Sequence, residues 1–203
     1  QVQLPGVPPE QASALIGKTA LLEFKEPKLD DSGDVICEAA DGRQFHVPAT
    51  GVSQGLNDAG QNEAQCVGSA GEIGAVVWQP ALAKDSQGQT RQLTGRYLKP
   101  NSAEVVTSVG ECIPACVQLE FTGEGSLLFE QITTRLIQYP LGIFLDEELI
   151  GSPNVRSVIS NGQTIITGLS LDEAKTLKVQ LNTGALPVEM REIAKQEIDA
   201  TLG

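Results

Sequence analysis

Four cysteines are the residues of this sequence whose chemistry is easiest to define. Cys37, Cys66, Cys112 and Cys116 form an even set, which in an oxidising compartment favours disulfides and allows three connectivities. We favour Cys37 with Cys66 and Cys112 with Cys116; in the second pair, Pro114 can turn the chain so that the two Cα atoms approach each other. A structural zinc site is the alternative, but such sites normally use close cysteine pairs, whereas Cys37 and Cys66 stand alone and His46 is the only histidine.

His46 is the single histidine of the chain and the only histidine available as the base of a nucleophilic triad. It lies in a loop-rich acidic stretch, and no serine of the chain occupies a nucleophile-elbow motif. We therefore interpret His46 as a surface or half-buried loop residue and predict no catalytic residue and no enzyme activity. The cysteines are better explained as disulfides than as thiolate nucleophiles.

Two groups of carboxylates lie close enough in sequence to suggest a site. Asp30 to Asp34 offers oxygen ligands around a turn glycine, which would suit weak calcium binding, but the bidentate glutamate of an EF-hand loop is missing. Asp146, Glu147 and Glu148 could be imagined as paired catalytic carboxylates, yet consecutive residues of a strand or turn point in different directions. We interpret the first group as a solvated acidic turn and the second as a polar hairpin tip, and we predict no metal site.

Gly123 and Gly125 lie between a predicted strand and a predicted helix, and Asp146 follows further along the chain. This layout is that of a dinucleotide-binding fingerprint. The third small residue would fall at Leu128, however, and Glu124 would place a carboxylate beside a pyrophosphate. We therefore interpret the two glycines as a tight turn and predict no cofactor.

The balance of charge limits the partners of the chain. Acidic residues outnumber basic residues by 26 to 14, and the formal charge is -12. Phosphate backbones and anionic lipid surfaces repel such a chain, so we predict no nucleic-acid partner. No apolar run reaches the roughly 18 residues needed to cross a membrane. The opening Gln1-Val2-Gln3-Leu4 is typical of the middle of a strand, so we expect a segment of a longer protein.

Two β-α-β patterns lie at the two ends of the chain. In the first, a helix begins at Pro8 and ends at Gly17, between strands at residues 2–4 and 20–24. In the second, Ser170 and Glu173 are spaced as a capping box, and the helix that follows ends at Gly184. Its apolar stripe consists of Ala174, Leu177 and Leu181, and its flanking strands are predicted at residues 164–167 and 188–193.

These patterns predict an α+β fold in which both ends of the chain form one platform. Residues 1–26 and 155–203 would form a ferredoxin-like base with its helices on one face of the sheet. Residues 27–154 would form an inserted α+β head subdomain, because an ordinary loop is far shorter. Residues 27–75 are rich in Gly, Asp, Ser and Asn, which indicates loops and small β elements without defining a fold.

The second half of the predicted head is easier to interpret. Residues 76–78 and 143–145 are predicted as buried strands, and a helix after Gly125 presents one apolar face made of Leu128, Phe129, Ile132 and Leu136. Residues 84–91 are predicted as an exposed turn. Asn161-Gly162 predicts a hairpin between residues 155–159 and 164–167, because both central residues of that turn type need positive φ.

Segments at both ends and in the second half of the chain also carry a resemblance to a known family. They are residues 2–7, 15–20, 22–24, 93–98, 120–125, 129, 144–150, 161–162, 165–168, 172–174, 184–187 and 200–203. Together they resemble SecD, a family of protein-export membrane proteins. The four cysteines and the region from about Pro27 to Pro80 are not part of the pattern.

The resemblance implies a soluble region between the first two membrane spans of a SecD-like subunit. Such a region lies on the extracytoplasmic (periplasmic or extracellular) side of the cell membrane and is attached to it through flanking spans. The implied partners are SecF-like and SecY-like translocase subunits and the preprotein polypeptide. The implied function is to assist protein export by handling the emerging polypeptide, without the proton-handling groups, which the family carries in its membrane spans.

We hypothesise that the base is anchored and that the head swings about connections near Pro27 and Pro153 to hold the emerging chain. The alternative is an extracytoplasmic scaffold or assembly module that contacts only other translocase subunits. Which residues contact the preprotein is not predicted, although an apolar groove or a bare strand edge is what such binding requires.

Overall fold

The structure, a computed structural model, describes residues 21–56, 62–109 and 112–184. Within these ranges the chain forms fourteen strands and two α-helices, α1 (Gly123–Arg135) and α2 (Leu171–Gly184). The strands are β1 (Leu22–Pro27), β2 (Val35–Ala39), β3 (Gln44–Val47), β4 (Val52–Leu56), β5 (Asn62–Val67), β6 (Ile73–Val76), β7 (Trp78–Pro80), β8 (Leu82–Lys84), β9 (Thr90–Gln92), β10 (Glu104–Val109), β11 (Cys112–Glu120), β12 (Gly142–Leu145), β13 (Glu148–Gly151) and β14 (Gln163–Leu169). The chain is therefore a mixed α+β protein, built mostly from antiparallel sheets.

A four-stranded antiparallel sheet in the order β13-β12-β1-β7 lies over the main core. Successive side chains of a strand point to opposite faces, so Leu22 and Phe24 of β1 enter the core together. The ring centroid of Phe24 lies 5.6 Å from that of Phe121 and 6.1 Å from that of Phe129. This aromatic cluster joins β1 to the α1 helix.

A second antiparallel sheet has the order β10-β11-β14. Helix α2 covers one of its faces, where the predicted stripe of Ala174, Leu177 and Leu181 is buried. The sheet contributes Val117, Leu119 and Ile166 to the same continuous core that contains Phe24. The prediction of α2 and of its buried stripe is confirmed.

Helix α1 begins at a capped end and buries the face that the sequence predicts. The Thr122 hydroxyl accepts the N–H of Gly125 at 3.2 Å, as an N-cap residue does. The predicted apolar face is buried, with each side chain at most 2% exposed: Leu128, Phe129, Ile132 and Leu136. Burial of this face holds α1 against β1 and Phe121.

Residues 28–77, which we call the insert lobe, form a separate five-stranded sheet in the order β3-β2-β6-β5-β4. The edge strands β3 and β4 are joined only by a short 3-10 turn, Ala49–Gly51, so the sheet must curl until its two edges approach each other. Its small core contains Val35, Val47 and the Cys37–Cys66 disulfide. The chain enters and leaves this lobe at neighbouring points, because Pro27 and Trp78 are paired residues of β1 and β7.

A few side chains connect the insert lobe to the main core. Tyr139 packs against both cores, and its hydroxyl donates to the Gly33 carbonyl at 2.8 Å. Trp78 and Leu149 also pack against the core of the insert lobe. Elsewhere the two cores consist of different residues, so the insert lobe has its own hydrophobic centre.

The ferredoxin-like base is not confirmed by the described residues. β1 and β14 are strands, as predicted, but β1 pairs with β7 and β12, whereas β14 pairs with β11. They therefore lie in different sheets. The helix predicted at residues 8–17 and the strands predicted at 2–4 and 188–193 lie outside the described residues. The predicted domains, 1–26 with 155–203 and 27–154, thus stay a prediction.

Two local expectations about strands were wrong. Residues 155–159 do not form a strand, because the Ile159 N–H donates to the Thr133 hydroxyl at 3.1 Å instead of to a cross-strand partner. Residues 76–78 belong to two strands, since β6 ends at Val76 and β7 begins at Trp78.

The segment around Pro153 also lacks the freedom that a hinge needs. Its carbonyl accepts the N–H of Leu141 at 2.9 Å, and the Val155 N–H donates to the Tyr139 carbonyl at 2.9 Å. Val155 and Ser152 are buried. Movement at this point would break bonds within the main core, so we no longer expect a hinge there.

Candidate functional site

All four cysteines are paired in the structure. Cys37 on β2 is bonded to Cys66 on β5, across the core of the insert lobe. Cys112 and Cys116 are bonded to each other within β11, beside an irregularity in its pairing with β10. Each of these cysteines is at most 6% exposed. The burial of both bonds indicates a structural role.

His46 lies on strand β3 and not in a loop, and it points to the acidic turn. Its Nδ1 lies 2.7 Å from Asp30 Oδ2. The other oxygen of Asp30 accepts the N–H groups of Ser32 at 2.8 Å and Asp34 at 3.0 Å. The hydrogen bond from the Asp34 N–H lowers the pKa of the Asp30 carboxyl. Partial desolvation acts in the opposite direction, and the Ser32 N–H and His46 lower the pKa further. These contacts join the acidic turn to an edge strand.

The two glycines of the suspected fingerprint lie at the start of α1, and Gly125 serves packing. A Cβ atom on Gly125 would lie 2.8 Å from Tyr97 Cβ and from the Tyr97 carbonyl oxygen. Because Gly125 lacks this atom, α1 can lie directly against the short 3-10 turn Gly95–Tyr97. Asp146 and Glu147 form the turn between β12 and β13, with φ of 50° and 73°. Two positive φ values define the hairpin tip that the sequence predicts. Asp146 and Gly125 thus belong to unrelated features.

A buried carboxylate organises the hairpin of β8 and β9. Asp85 accepts the N–H groups of Gln87 at 2.9 Å and Gln89 at 2.8 Å, and its other oxygen lies 3.0 Å from Arg91 Nε. Burial by itself would raise the pKa of this carboxyl, but the bonds from Arg91, Gln89 and Gln87 outweigh it and lower the pKa. Asp85 therefore holds the turn as a charged group with a local partner.

The outer face of the β10-β11-β14 sheet, opposite α2, carries the groove that we regard as the candidate functional site. Gln118 of β11 is directly opposite Ile165 of β14, so their side chains share this face. Gln163 lies two residues before Ile165 on the same face, and Ile159 and Thr164 complete the lining. The groove is open and has a volume of about 290 Å³.

None of the described residues that line this groove is charged, although the chain as a whole is strongly acidic. Glu120 lies beside it, opposite Gln163, and pairs with Lys99. Ile165 is 40% exposed, which gives the groove an apolar floor. Amide side chains both donate and accept hydrogen bonds. The groove thus combines uncharged hydrogen-bonding groups with an exposed apolar side chain.

Sequence reasoning did not find these residues, because Gln163 to Thr167 reads as an ordinary strand. The signal available was the exposed isoleucine in an alternating pattern, which is common on protein surfaces. Only the pairing of β14 with β11 places Gln118 beside it. Within the described part of the chain, neither helix is long and apolar enough to span a membrane.

A family model described as "SecDF, P1 head subdomain" matches residues 76–188, more than half of the chain. The protein translocase subunit SecD of Dehalococcoides mccartyi (strain VS) is 32% identical over the whole chain, which covers 38% of that protein. SecD of Endomicrobium trichonymphae is 31% identical over the whole chain and 41% of that protein. The chain therefore spans less than half the length of the relatives that it matches.

The similarity extends to solved structures. One, titled "Structure and function of a membrane component SecDF that enhances protein export", has a TM-score of 0.55 and 25% identity and covers 97% of this chain and 79% of that chain. Another, the "Crystal structure of SecDF in Super-membrane-facing form", has a TM-score of 0.53 and 26% identity and covers 91% of this chain and 22% of that chain. The matched head subdomain contains the groove, and the chain belongs to the SecD/SecDF family of protein translocase subunits.

Proposed function

We propose that this chain acts in protein export by holding a segment of unfolded preprotein in the groove of Gln118, Ile159, Gln163, Thr164 and Ile165. The observation that carries the proposal is the chemistry of this groove: amide groups around an exposed isoleucine, on the sheet of the head subdomain. Amides bind the peptide backbone whatever its sequence, and the isoleucine contributes the apolar contact that most polypeptide segments can use. A translocase must bind polypeptide segments of many different sequences.

We also propose that the chain works on the extracytoplasmic side of the cell membrane, held there by flanking membrane spans. The two buried disulfides support this location, because stable disulfides belong to oxidising compartments. The acidic surface supports a position clear of anionic lipid headgroups. SecF-like and SecY-like translocase subunits are the partners that we propose on the basis of the family.

The same proposal assigns different roles to the base and to the head. Residues 155–184 share one core with α1 and β1, and the matched head model continues to residue 188. We propose that the ferredoxin-like base is built from the two ends of the chain, residues 1–26 and 155–203, and that it packs against the head through this shared core. The base would be the anchored part and the head the part that meets the preprotein.

Photo-crosslinking of the 203-residue chain tests the groove. A benzoylphenylalanine at Ile165 is compared with one at Ile73, which is 59% exposed but lies in the insert lobe. The ligand is a reduced, carboxymethylated protein that cannot fold. We expect labelling from position 165 and background labelling from position 73. Equal labelling from both positions, or none from either, contradicts the proposed groove.

The same two probes, placed in the complete translocase subunit, separate this function from the scaffold alternative. With a stalled export intermediate, position 165 should label the preprotein. Labelling of SecF-like or SecY-like subunits alone, with no preprotein adduct from either position, would instead identify a scaffold. The result distinguishes a surface that holds substrate from one that only joins subunits.

A further inference from the structure

The core of the insert lobe is small compared with the main core. The aromatic side chains that touch it, such as Phe45, are only partly buried. A domain of this size with so little buried apolar volume commonly needs a disulfide, a metal or a partner in order to fold. Among the described residues, the buried side chains of this core are short, and two of them are the bonded cysteines: Val35, Cys37, Val47, Val52, Ala64, Cys66 and Val76.

The Cys37–Cys66 bond connects two strands that a third strand separates. Strand β6 lies between β2 and β5 and pairs with each of them through three residue pairs. In a flat sheet, strands on either side of a third lie about 10 Å apart. The Cα atoms of Cys37 and Cys66 are 6.2 Å apart, so the bond holds the curl of the sheet across its central strand.

Loss of this bond would act on both the folded and the unfolded lobe. Cys37 and Cys66 are each 0% exposed, and two unbonded thiols need more room in a close-packed core than a disulfide does. The bond also spans a sequence separation of 29, so it restricts the unfolded lobe. The Cys112–Cys116 bond spans a separation of only 4 within one strand and restricts the unfolded chain less.

The main core is built from other residues. Phe24, Phe129 and Ile166 are each at most 2% exposed and belong to a different hydrophobic cluster. A few side chains connect the two cores, among them Tyr139, whose hydroxyl donates to the Gly33 carbonyl. Unfolding of the insert lobe would therefore leave most contacts of the main core in place.

We infer that Cys37 and Cys66 form a redox switch: the insert lobe folds only after a disulfide oxidant has joined them, whereas the main core folds without this bond. In the joining step, one cysteine thiolate attacks the disulfide of the oxidant and forms a mixed disulfide, and the second thiolate then displaces the oxidant. The two cysteines lose two electrons and two protons, and the oxidant leaves as two thiols. The inference concerns the insert lobe and does not depend on the groove.

Amide hydrogen exchange of the 203-residue chain tests the inference. The chain is unfolded in urea with dithiothreitol and then refolded either with dithiothreitol or with oxidised glutathione, and mass spectrometry after alkylation verifies the thiol state. The lobe is followed at Ile36 and Ala39, whose N–H groups donate to the carbonyls of Lys28 and Arg43, both at 2.9 Å. The main core is followed at Phe24 and Ala81, whose N–H groups donate to the carbonyls of Leu93 at 3.2 Å and of Phe24 at 3.0 Å.

We expect the lobe amides to exchange at least about tenfold faster in the reduced chain than in the oxidised chain, and the main-core amides to differ by less than about threefold. The reduced chain keeps both sulfur atoms, so this comparison separates the bond from the packing of the side chains. Equal protection of the lobe in the two states overturns the inference. Loss of protection in the main core on reduction also overturns it, because the two cores would then unfold together.

Two double substitutions assign the effect to one of the two bonds. Cys37→Ala with Cys66→Ala should leave the lobe unprotected even with oxidised glutathione. Cys112→Ala with Cys116→Ala is the matched control, and its lobe should be protected when oxidised and unprotected when reduced. A control whose lobe is unprotected when oxidised, with a protected main core, would assign the switch to the wrong bond. If the main core of either variant does not fold, the two redox states of the unsubstituted chain decide.

Discussion

At Gly162 and Gly125, the absence of a Cβ atom allows the chain beside the groove to pass close to its neighbours. A Cβ atom on Gly162 would lie 2.0 Å from Ser126 Oγ, and the residue has a φ of 67°, so both space and backbone favour glycine. Gly125 presses against Tyr97 in the same way, without positive φ. The two contacts draw the turn before β14 and the 3-10 turn at Tyr97 onto the start of α1. The start of α1 therefore lies against the turn that leads into β14, at one end of the groove.

The first prediction at this scale concerns the N-cap of α1. The Thr122 hydroxyl accepts the Gly125 N–H and donates to the Tyr97 carbonyl at 3.1 Å. Thr122→Ala removes both bonds and should lower the free energy of unfolding by about 1 to 2 kcal/mol, measured by urea denaturation. Thr122→Ser keeps the hydroxyl and serves as the control, with a loss of at most about 0.5 kcal/mol. Equal losses in the two variants would show that the cap bonds contribute nothing.

At the scale of elements, the hairpin of β8 and β9 depends on one carboxylate. Three hydrogen bonds converge on Asp85, and the hairpin covers the core through Ala83 and Leu93. Because the pKa of the Asp85 carboxyl is lower in the folded chain than in the unfolded chain, its contribution to stability is complete above its ordinary value of about 4. That contribution is lost as the pH falls through the lower, folded value.

Asp85→Asn should therefore lower the urea midpoint at pH 7, and its effect should shrink as the pH falls below about 4 and towards the lower pKa of the folded chain, where the Asp85 carboxyl becomes protonated. The measurement is the difference between the midpoints of the native chain and the variant across that range. Asp172→Asn, at a side chain that is 97% exposed, is the control and should shift the midpoint little at any pH. A difference for Asp85→Asn that stays constant from pH 7 to pH 3 would contradict the assigned role.

Elements that are fixed by residues close together in sequence were predictable, whereas features that depend on contacts between residues far apart in sequence were not. The capping box of α2 is present, with the Ser170 N–H donating to Glu173 Oε2 at 2.8 Å and the Glu173 N–H donating to Ser170 Oγ at 3.3 Å. The hairpin expected at Asn161-Gly162 failed because Ile159 bonds to Thr133, far away in sequence. For the same reason the groove was missed, since it exists only where β14 meets Gln118.

At the scale of the whole molecule, the insert lobe is a second body attached to a hairpin of the first. The Lys28 N–H donates to the Val77 carbonyl at 2.8 Å, which continues the pairing of β1 with β7 to the point of insertion. The matched head model begins at residue 76, where the insert lobe ends. The groove, by contrast, is built entirely from residues between Gln118 and Ile165. The main core and the groove therefore do not need the insert lobe.

This arrangement predicts that the insert lobe can be removed. Residues 29–76 are replaced by Asn-Gly, a pair suited to a two-residue hairpin, between the bonded residues Lys28 and Val77. Leu149, which packs against the lobe, is changed to Thr in the same variant to limit new apolar surface. We expect a folded chain by circular dichroism and NMR dispersion, because Phe24 and the rest of the main core are unchanged.

The shortened chain should also bind the carboxymethylated protein within about threefold of the native affinity, a difference below about 0.7 kcal/mol. The matched control removes residues 81–93 instead, a hairpin of similar topology. That deletion takes Ala81 and Leu93, both 0% exposed, out of the main core and should prevent folding. Loss of folding on removal of the insert lobe would show that the two cores form one cooperative unit. Retained folding with lost binding would place the polypeptide site on the insert lobe and not on β14.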